Sequence, residues 1–173
     1  MEIERKFLLH QLPFALDGYE QLDIEQTYIS VSPVIRLRRS HTRDRVRNRA
    51  DSRPDDRPDV HPDYFLTVKH GGSIAHEEAE FPLTEAQYQK LLLKAETDAV
   101  RKTRVLIPLD NALTAELDVY HGALNGLLTV EVEFESLAEA MAFTPPGWFG
   151  EDVSENAAYS NSSLAIYGRP DMG

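Results

Sequence analysis

The chain has 173 residues, of which 42% are hydrophobic and 27% charged, and its formal net charge is −11. This length and apolar content suit one compact domain with a core, whereas the acidic balance argues against binding nucleic acid through surface electrostatics. The absence of cysteine excludes disulfide bonds and thiolate metal sites, which leaves carboxylate, histidine and carbonyl oxygen as possible metal ligands. Without a long apolar run or a signal-like N-terminus, we expect a soluble, cytoplasmic protein that does not enter a membrane.

The first predicted strand carries charge on alternate residues. Successive side chains of a strand point to opposite faces, so Glu2, Glu4 and Lys6 share one face while Ile3 and Phe7 take the other. Taken alone, this pattern is typical of a strand with one solvated face. It gains weight because it recurs along the chain with both signs of charge.

The next two predicted strands, over residues 26–31 and 34–39, form a hairpin with a Ser-Pro turn. Three residues share one face of the earlier strand: Gln26, Tyr28 and Ser30. On the later strand, Arg36 and Arg38 lie side by side. Two like charges about 5 Å apart repel by roughly 3 kcal/mol at an effective dielectric near 20, so in a confined space the pair favours an anion between its members. On an open face, water would suffice.

Residues 40–63 interrupt the pattern with arginine, aspartate and proline, and with almost no apolar side chains. No core can form there. We therefore predict a flexible loop insertion that joins two strands within a single domain over residues 1–173. An interaction surface formed by the arginines of this loop is the alternative.

Five further strands are predicted, over residues 64–70, 78–81, 100–107, 115–120 and 129–134. Charge again occupies one face of each. The charged residues on these faces are Lys69, Glu78, Glu80, Lys102, Arg104, Glu116, Asp118, Glu131 and Glu133.

Three predicted helices accompany the strands. Thr84 is the predicted N-cap of the first, whose apolar stripe faces the sheet. That stripe consists of Tyr88, Leu91, Leu92 and Ala95. Short helices are predicted over residues 137–143 and 159–167, and we expect the C-terminal tail to pack outside the sheet.

Charged faces on nearly all strands, with mostly apolar residues opposite, favour an antiparallel barrel turned inside out. We predict an α+β fold: a closed, eight-stranded antiparallel β-barrel with a charged lumen and helices packed on its outside. Such a lumen can hold divalent cations through carboxylates and a multiply charged anion through lysine and arginine. Polyphosphate chelated to magnesium meets both demands.

The motif Glu2-Ile3-Glu4-Arg5-Lys6 resembles the Glu-x-Glu-x-Lys signature of the CYTH superfamily, the triphosphate tunnel metalloenzymes. Later motifs resemble those of the family in the expected order: Arg36-Leu37-Arg38, Thr67-Val68-Lys69, Glu78-Ala79-Glu80, Lys102-Thr103-Arg104, Glu116-Leu117-Asp118 and Glu131-Val132-Glu133. The resemblance covers nearly the whole chain except residues 39–63. The compact length and the stretch over residues 145–153 are similar to the small bacterial inorganic tripolyphosphatases.

The resemblance implies a role for each charged residue. Phosphate oxygens are bound by Lys6, Arg36, Arg38, Lys69, Lys102 and Arg104. Mg²⁺, or Mn²⁺ in its place, is bound by Glu2, Glu4, Asp118, Glu131 and Glu133. The supporting acids, which orient cations or metal-bound water, are Glu78, Glu80 and Glu116.

Catalysis is assigned to Lys102, near the scissile phosphate, and to Tyr28. Two routes to water activation stay open. A second Mg²⁺ would lower the pKa of its bound water, or Tyr28 would act as general base with Lys102 stabilising its phenolate. Neighbouring cations are expected to lower the pKa of Lys102.

The implied activity is hydrolysis of inorganic triphosphate (tripolyphosphate) to pyrophosphate and phosphate by a monomer or homodimer. Alternatives are a nucleoside or thiamine triphosphatase, a class IV-type adenylate cyclase, or a non-catalytic polyphosphate-binding module. An organic substrate needs a site for its base or ring, and no aromatic cluster is clearly assigned to that role. A binder without turnover has little use for so many carboxylates.

Residues 154–166 contain no lysine or arginine, whereas some relatives place a lysine from the terminal helix near the tunnel mouth. We therefore expect this end of the tunnel to be more open, or to be covered by the arginine-rich loop.

Overall fold

The computed structural model describes residues 2–43, 61–71 and 74–170. The predicted loop insertion falls mostly on residues 44–60, which lie outside the described residues. At its flanks, residues 40–42 belong to one strand and Asp63 begins the next.

Eight antiparallel strands form one curled sheet. They are β1 (Glu2–Leu9), β2 (Glu20–Val31), β3 (Val34–Thr42), β4 (Asp63–Gly71), β5 (Ala75–Leu83), β6 (Val100–Pro108), β7 (Thr114–Tyr120) and β8 (Leu128–Glu133). Their order is β1-β5-β4-β3-β2-β6-β7-β8, and β8 pairs again with β1. The predicted strand number and direction are confirmed.

The two ends of the sheet meet at a narrow contact between β1 and β5. Among the described residues, the paired positions there are Glu2 with His76 and Ile3 with Ala75. The predicted closed barrel is therefore confirmed only in part, because most of β1 extends beyond its partner strand.

The C-terminal segment covers this free edge of β1. Leu8 N–H donates to the carbonyl of Glu151 (2.8 Å), and Val153 N–H donates to the carbonyl of Lys6 (2.9 Å). Gly150 lies so close that a Cβ there would collide with the Leu8 carbonyl oxygen. A segment distant in sequence thus completes the wall of the sheet.

The apolar core lies on the outer face of the sheet. One cluster of buried side chains includes Ile3, Val105, Leu117 and Val130 from four strands. Phe7 packs edge-on against Phe149, with ring centroids 4.9 Å apart. Because the apolar side chains of the strands are buried on the outer face, polar side chains can occupy the opposite face.

Three helices occur in the described residues: α1 (Glu85–Leu92), α2 (Leu137–Ala142) and α3 (Asn161–Tyr167). None of them is long and apolar enough to span a membrane. Thr84 caps α1 through a capping box with Gln87, as predicted. Tyr88 is the buried residue of α1, whereas Ala95 lies beyond its end and is exposed, so the predicted stripe is shorter.

A β-bulge changes one predicted face. Tyr28 pairs with Arg36, but Ser30 pairs with Ile35, because the register shifts between them. The prediction that Ser30 shares a face with Tyr28 is therefore wrong.

Candidate active site

The charged side chains of the strands lie on the inside of the curled sheet, called the inner face below. Residues paired directly across neighbouring strands point to the same face. Lys6 pairs with Glu131, Glu131 with Glu116, and Arg104 with Asp118. The register places these predicted site residues together on the inner face: Glu2, Glu4, Lys6, Tyr28, Arg36, Arg38, Lys69, Glu78, Glu80, Lys102, Arg104, Glu116, Asp118, Glu131 and Glu133.

Arg104 is the centre of a buried ion-pair network. Its Nε lies 2.7 Å from Asp118 Oδ1 and one terminal nitrogen lies 2.5 Å from Glu131 Oε2, while the other pairs with Glu116. Burial lowers the pKa of Arg104, but these carboxylates outweigh it and raise the pKa well above its ordinary value. The guanidinium therefore stays charged and holds three strands in register.

Two lysines join this network from either side. Lys6 Nζ lies 2.7 Å from Glu131 Oε1, and Lys102 Nζ donates to Asp118 Oδ2 at 2.5 Å. Burial raises the pKa of Glu131, but Lys6 and Arg104 hold it well below its usual range.

The pKa of Lys102 is lowered, as predicted, although burial is the main cause. Asp118 acts against this shift, and Arg104 adds to it. The Lys102 side chain is 0% exposed.

Tyr28 and Lys102 have different immediate neighbours. Tyr28 is 2% exposed and pairs with Arg36 across β2 and β3. Burial raises its pKa, with Arg36 and Lys6 acting in the opposite direction. Lys102 Nζ instead lies 5.5 Å from the ring centroid of Tyr120, its partner across β6 and β7. The combined action of Tyr28 and Lys102 stays a prediction.

Donors without partners mark the basic part of the inner face. The Nε atoms of Arg36 and Arg38 are buried, and neither has a hydrogen-bond partner in the described part of the chain. The terminal nitrogens of these arginines reach Thr67 Oγ1 at 3.3 Å and Glu80 Oε2 at 3.1 Å. Because a buried donor without an acceptor costs about 1–3 kcal/mol, these atoms indicate a place for a ligand acceptor.

A cavity of about 330 Å³ is lined by one of these arginines, Arg36. Its strand-borne charged lining consists of Glu4, Lys6, Arg36 and Lys69. Cations outnumber carboxylates there, so the cavity favours an anion.

The carboxylates crowd together nearer the start of β1. Burial, helped by Glu78 and Glu133, raises the pKa of Glu2 to about 7. Burial and Glu131 likewise raise the pKa of Glu4, against Lys69, whose Nζ lies 3.9 Å away. A divalent cation would relieve this repulsion, and carboxylate oxygens are the ligands that Mg²⁺ prefers.

No group of three or more acidic or histidine side chains is already arranged as a metal site within residues 2–43, 61–71 and 74–170. Several of the predicted ligands pair with cations instead, as Asp118 and Glu131 do with Arg104. The oxygen donor set suits Mg²⁺, but its side chains would have to exchange partners to bind the ion.

A broader opening of about 1210 Å³ lies at the opposite end of the strands. Its charged lining is entirely acidic and consists of Asp110, Glu116, Glu133, Glu135 and Glu139. Of these, Glu116 and Glu133 are inner-face residues, so the small cavity has a mostly cationic lining and the wide opening an acidic one.

The C-terminal segment closes the small cavity. Lys6 Nζ donates to the carbonyl of Tyr159 at 3.1 Å, and Tyr120 O–H donates to Asn161 Oδ1 at 3.0 Å. Residues 154–162 contribute seven residues to the cavity lining and are called the end wall below. The prediction that the tail packs outside the sheet is wrong, and so is the prediction of a more open end. The alternative cover, the arginine-rich loop, lies mostly outside the described residues.

The sequence did not predict Tyr120, Gln26 or Asn161 as site residues, although each lies on the inner face or in the end wall. Tyr120 and Gln26 have the two-residue spacing of their strands, and Gln26 Oε1 is buried without a partner in the described residues. That spacing was a usable signal for both. Asn161 had no comparable signal, because its position depends on how the tail folds back onto β1.

Comparison with known proteins identifies relatives of the whole chain. The chain is 36% identical over 169 residues to the inorganic triphosphatase of Nitrosomonas europaea, covering 95% of this chain and 97% of the relative. It also resembles the crystal structure of an inorganic triphosphatase, with a TM-score of 0.61, 32% identity, and coverage of 98% and 97% of the two chains. No family model matches.

A more distant neighbour shows the same fold. An adenylyl cyclase candidate from Hippeastrum with a dominant triphosphatase activity has a TM-score of 0.57 and 14% identity, with coverage of 98% of this chain and 97% of its own. The curled eight-stranded sheet, the order of the charged motifs and the full-length similarity to the Nitrosomonas enzyme all indicate the same family. The chain therefore belongs to the CYTH superfamily of triphosphate tunnel enzymes, together with the inorganic triphosphatase of Nitrosomonas europaea.

Proposed function

We propose that this chain is a divalent-metal-dependent triphosphatase that hydrolyses inorganic triphosphate to pyrophosphate and phosphate. The observation that supports an anionic substrate is the buried, unpartnered Nε donor of Arg36, a residue that lines the same cavity as Lys6 and Lys69. The neighbouring Arg38 has an Nε that is unpartnered among the described residues as well. The full-length similarity to an inorganic triphosphatase supports the reaction.

Charge neutralisation and positioning are the main requirements of phosphoryl transfer. Lys6, Arg36 and Lys69 line the small cavity and would hold the oxygens of a terminal phosphate. Lys102 and Arg104 are more deeply buried and would neutralise charge near the bridging oxygen that leaves. A water oxygen attacks phosphorus, the P–O bond to pyrophosphate breaks, and one proton is released.

Mg²⁺ would be held by carboxylates drawn from Glu2, Glu4, Asp118, Glu131 and Glu133, and it would supply further neutralisation of phosphate charge. Supporting acids already orient cations, since Glu80 pairs with Arg38 and Glu78 with Lys69. Raised pKa values at Glu2 and Glu4 fit a donor set that has excess negative charge without an ion.

Tyr28 is the proposed partner of the attacking water. Burial raises its pKa, so its hydroxyl keeps its proton at neutral pH unless an added cation lowers that pKa. A hydrogen-bond donor role and a general-base role are therefore both open to Tyr28, and the pH profile of kcat separates them.

The size and polarity of the cavity favour an inorganic over an organic triphosphate. Its volume of about 330 Å³ lies near the lower end of the range of about 300–1,000 Å³ for small-molecule sites. Two tyrosines line it, but Tyr28 and Tyr159 are only 2% and 8% exposed. Neither offers an open ring face on which a nucleoside base could stack.

Direct phosphate release tests the proposal. The purified chain is given tripolyphosphate, ATP or thiamine triphosphate with Mg²⁺, and we expect kcat/KM to be highest for tripolyphosphate by at least about tenfold, or 1.4 kcal/mol. A preference for ATP would make the chain a nucleoside triphosphatase. Tight tripolyphosphate binding without turnover would make it a binding module.

A further inference from the structure

The end-wall residues that line the basic cavity are uncharged, since Glu155 is not part of the lining. These lining residues are Ser154, Asn156, Ala157, Tyr159, Ser160, Asn161 and Ser162. The same cavity is lined by Lys6 and by Arg36, whose Nε is buried and unpartnered among the described residues. An anion held by the cations would therefore also meet the end wall.

Hydrogen bonds fix which way the two asparagines point. Asn156 Oδ1 accepts from Ala158 N–H at 3.1 Å, and Asn161 Oδ1 accepts from Tyr120 O–H at 3.0 Å. The Ala158 amide can only donate, which identifies the oxygen of Asn156 chemically. In both residues the oxygen is thus engaged within the protein.

The amide nitrogens remain as donors. Within the described part of the chain, neither Asn156 Nδ2 nor Asn161 Nδ2 has a hydrogen-bond partner, and both residues line the cavity. The Ser162 hydroxyl, another lining group, contacts only the Ser160 hydroxyl among these residues, at 3.2 Å. Uncharged donors on one side and cations on the other match the acceptor-only oxygens of a phosphate group.

We propose that the end wall is a phosphate-binding subsite, in which the Nδ2 groups of Asn156 and Asn161 and the Ser162 hydroxyl bind the terminal phosphate of the triphosphate. This subsite rests on the proposed function and extends it. It makes the end wall a specificity determinant, because a substituent on the terminal phosphate would replace an oxygen that these donors bind.

Replacing asparagine by aspartate tests the donors with little change in shape. In Asn156→Asp, a carboxylate oxygen still accepts from Ala158 N–H, but the donor group becomes an acceptor that repels phosphate. Asn161→Asp likewise keeps the bond from Tyr120. Asn125→Asp is the matched control, since Asn125 is exposed and lies outside the cavity lining.

We expect KM for tripolyphosphate to rise at least about tenfold in Asn156→Asp and Asn161→Asp, because a hydrogen bond to a charged group contributes about 1.5–3 kcal/mol. kcat should change less, and the melting temperature should stay within about 2 °C of wild type. Isothermal titration with tripolyphosphate in chelator gives the same comparison without turnover. Asn125→Asp should match wild type in both measurements.

A serine pair provides a second, charge-neutral comparison. Ser162 lines the cavity and Ser163 does not, although each hydroxyl contacts Ser160, at 3.2 Å and 2.9 Å respectively. Ser162→Ala should raise KM by about two- to fivefold, near the 0.5–1 kcal/mol of a modest hydrogen bond, and Ser163→Ala should not.

The outcomes separate this subsite from the proposed function. If wild type neither binds nor cleaves tripolyphosphate, the proposed function fails and the subsite fails with it. If wild type is active while both aspartate variants behave like Asn125→Asp, the end wall is structural only, and the proposed function stands.

Discussion

Lys102 shows how burial gives a single residue its chemical character. Its ammonium is fully enclosed, bonded to Asp118 at 2.5 Å and set against the ring of Tyr120. A buried cation that loses its partner is costly, whereas a pair with good geometry is tolerated. The site therefore holds Lys102 in one position, and both its geometry and its charge should matter.

Lys102→Arg tests this geometric requirement. The planar guanidinium is larger than an ammonium and cannot reproduce its single bond to Asp118. We expect kcat for tripolyphosphate to fall by at least about 100-fold while KM changes less than about threefold, since the other proposed phosphate-binding side chains are unchanged. Melting temperature, measured in parallel, excludes loss of folding, and an enzyme that kept more than half its kcat would show that charge alone suffices.

Tyr28→Phe asks whether the tyrosine acts in the same step as Lys102. We expect a smaller loss of kcat than in Lys102→Arg, and a double variant no worse than Lys102→Arg alone, because residues that serve one step do not lose additively. Tyr64→Phe is the matched control, because Tyr64 pairs with Arg39 on the outer face and does not line the cavity. Strict additivity of Tyr28→Phe with Lys102→Arg would assign water activation to metal and carboxylates.

Glu2 makes the stability of the metal-free protein depend on pH. Its pKa rises from the ordinary 4.5 to about 7 in the folded chain. Between these values the folded state keeps a proton that the unfolded state has lost, so stability falls as pH rises through this window and stays lower above it. Because Glu2 is partly exposed, solvent screening limits the effect to about 1 kcal/mol.

Glu2→Gln should remove that loss. In chelator at pH 8 we expect its melting temperature to exceed that of wild type by about 2–4 °C, the shift that about 1 kcal/mol produces in a chain of this size. At pH 4.5 the difference should vanish. Glu96→Gln, an exposed site, serves as control; a wild-type advantage at pH 8 would refute the assignment to Glu2.

At the scale of elements, the strands were predictable and the end wall was not. Alternation of charged and apolar residues is a local signal, and it identified Glu116 and Asp118 as neighbours on one face of β7 without any tertiary information. The pairing of Glu151 and Val153 with β1 depends on a contact between the two ends of the chain. Nothing in the local pattern of residues 150–162 encodes that contact.

Gly150 tests whether this contact shapes the site. Gly150→Ala would drive a methyl group into the Leu8 carbonyl and separate the C-terminal segment from β1. We expect a lower melting temperature and a KM for tripolyphosphate raised at least about threefold, as the end wall loses its position. Gly147→Ala is the control, because a Cβ at Gly147 meets nothing within 4 Å. Equal behaviour of the two variants would show that the contact is dispensable.

The arginine-rich insertion is a second element-scale question. Arg43, at its start, bonds Asp23 at 2.7 Å and Thr103 at 3.1 Å on the outer face. We expect replacement of residues 44–60 by a short Gly-Asn-Gly linker, with Arg43 kept, to leave KM for tripolyphosphate within about twofold. A large rise in KM would instead make those residues part of the substrate site.

At the scale of the whole molecule, charge differs between the two cavities. The chain has a net charge of −11, yet the charged lining of the small cavity is mostly cationic, whereas that of the wide opening is entirely acidic. An anionic substrate is therefore attracted locally and repelled elsewhere. A cation at the acidic end would offset this difference in charge, so the proposed metal binding would depend on the folded sheet rather than on any one motif.

Metal binding should therefore stabilise the fold without substrate. A ligand that binds only the folded state adds about 2.7 kcal/mol at a hundredfold excess over its Kd. We expect saturating Mg²⁺ or Mn²⁺ to raise the melting temperature in thermal unfolding, and Glu4→Gln or Glu133→Gln to reduce this shift by at least about half. In chelator the same variants should melt no lower than wild type, because removing a carboxylate from a crowded acidic face relieves repulsion.

Glu135→Gln is the control for that experiment, since Glu135 lines the wide opening but lies beyond β8. Its Mg²⁺ shift should equal that of wild type. Turnover should vanish in chelator, return with Mg²⁺ or Mn²⁺, and remain low with Ca²⁺, whose longer bonds and looser geometry fit phosphoryl transfer poorly. Full turnover in chelator, or a Mg²⁺ shift that Glu4→Gln and Glu133→Gln leave intact, would remove these inner-face carboxylates from the metal site.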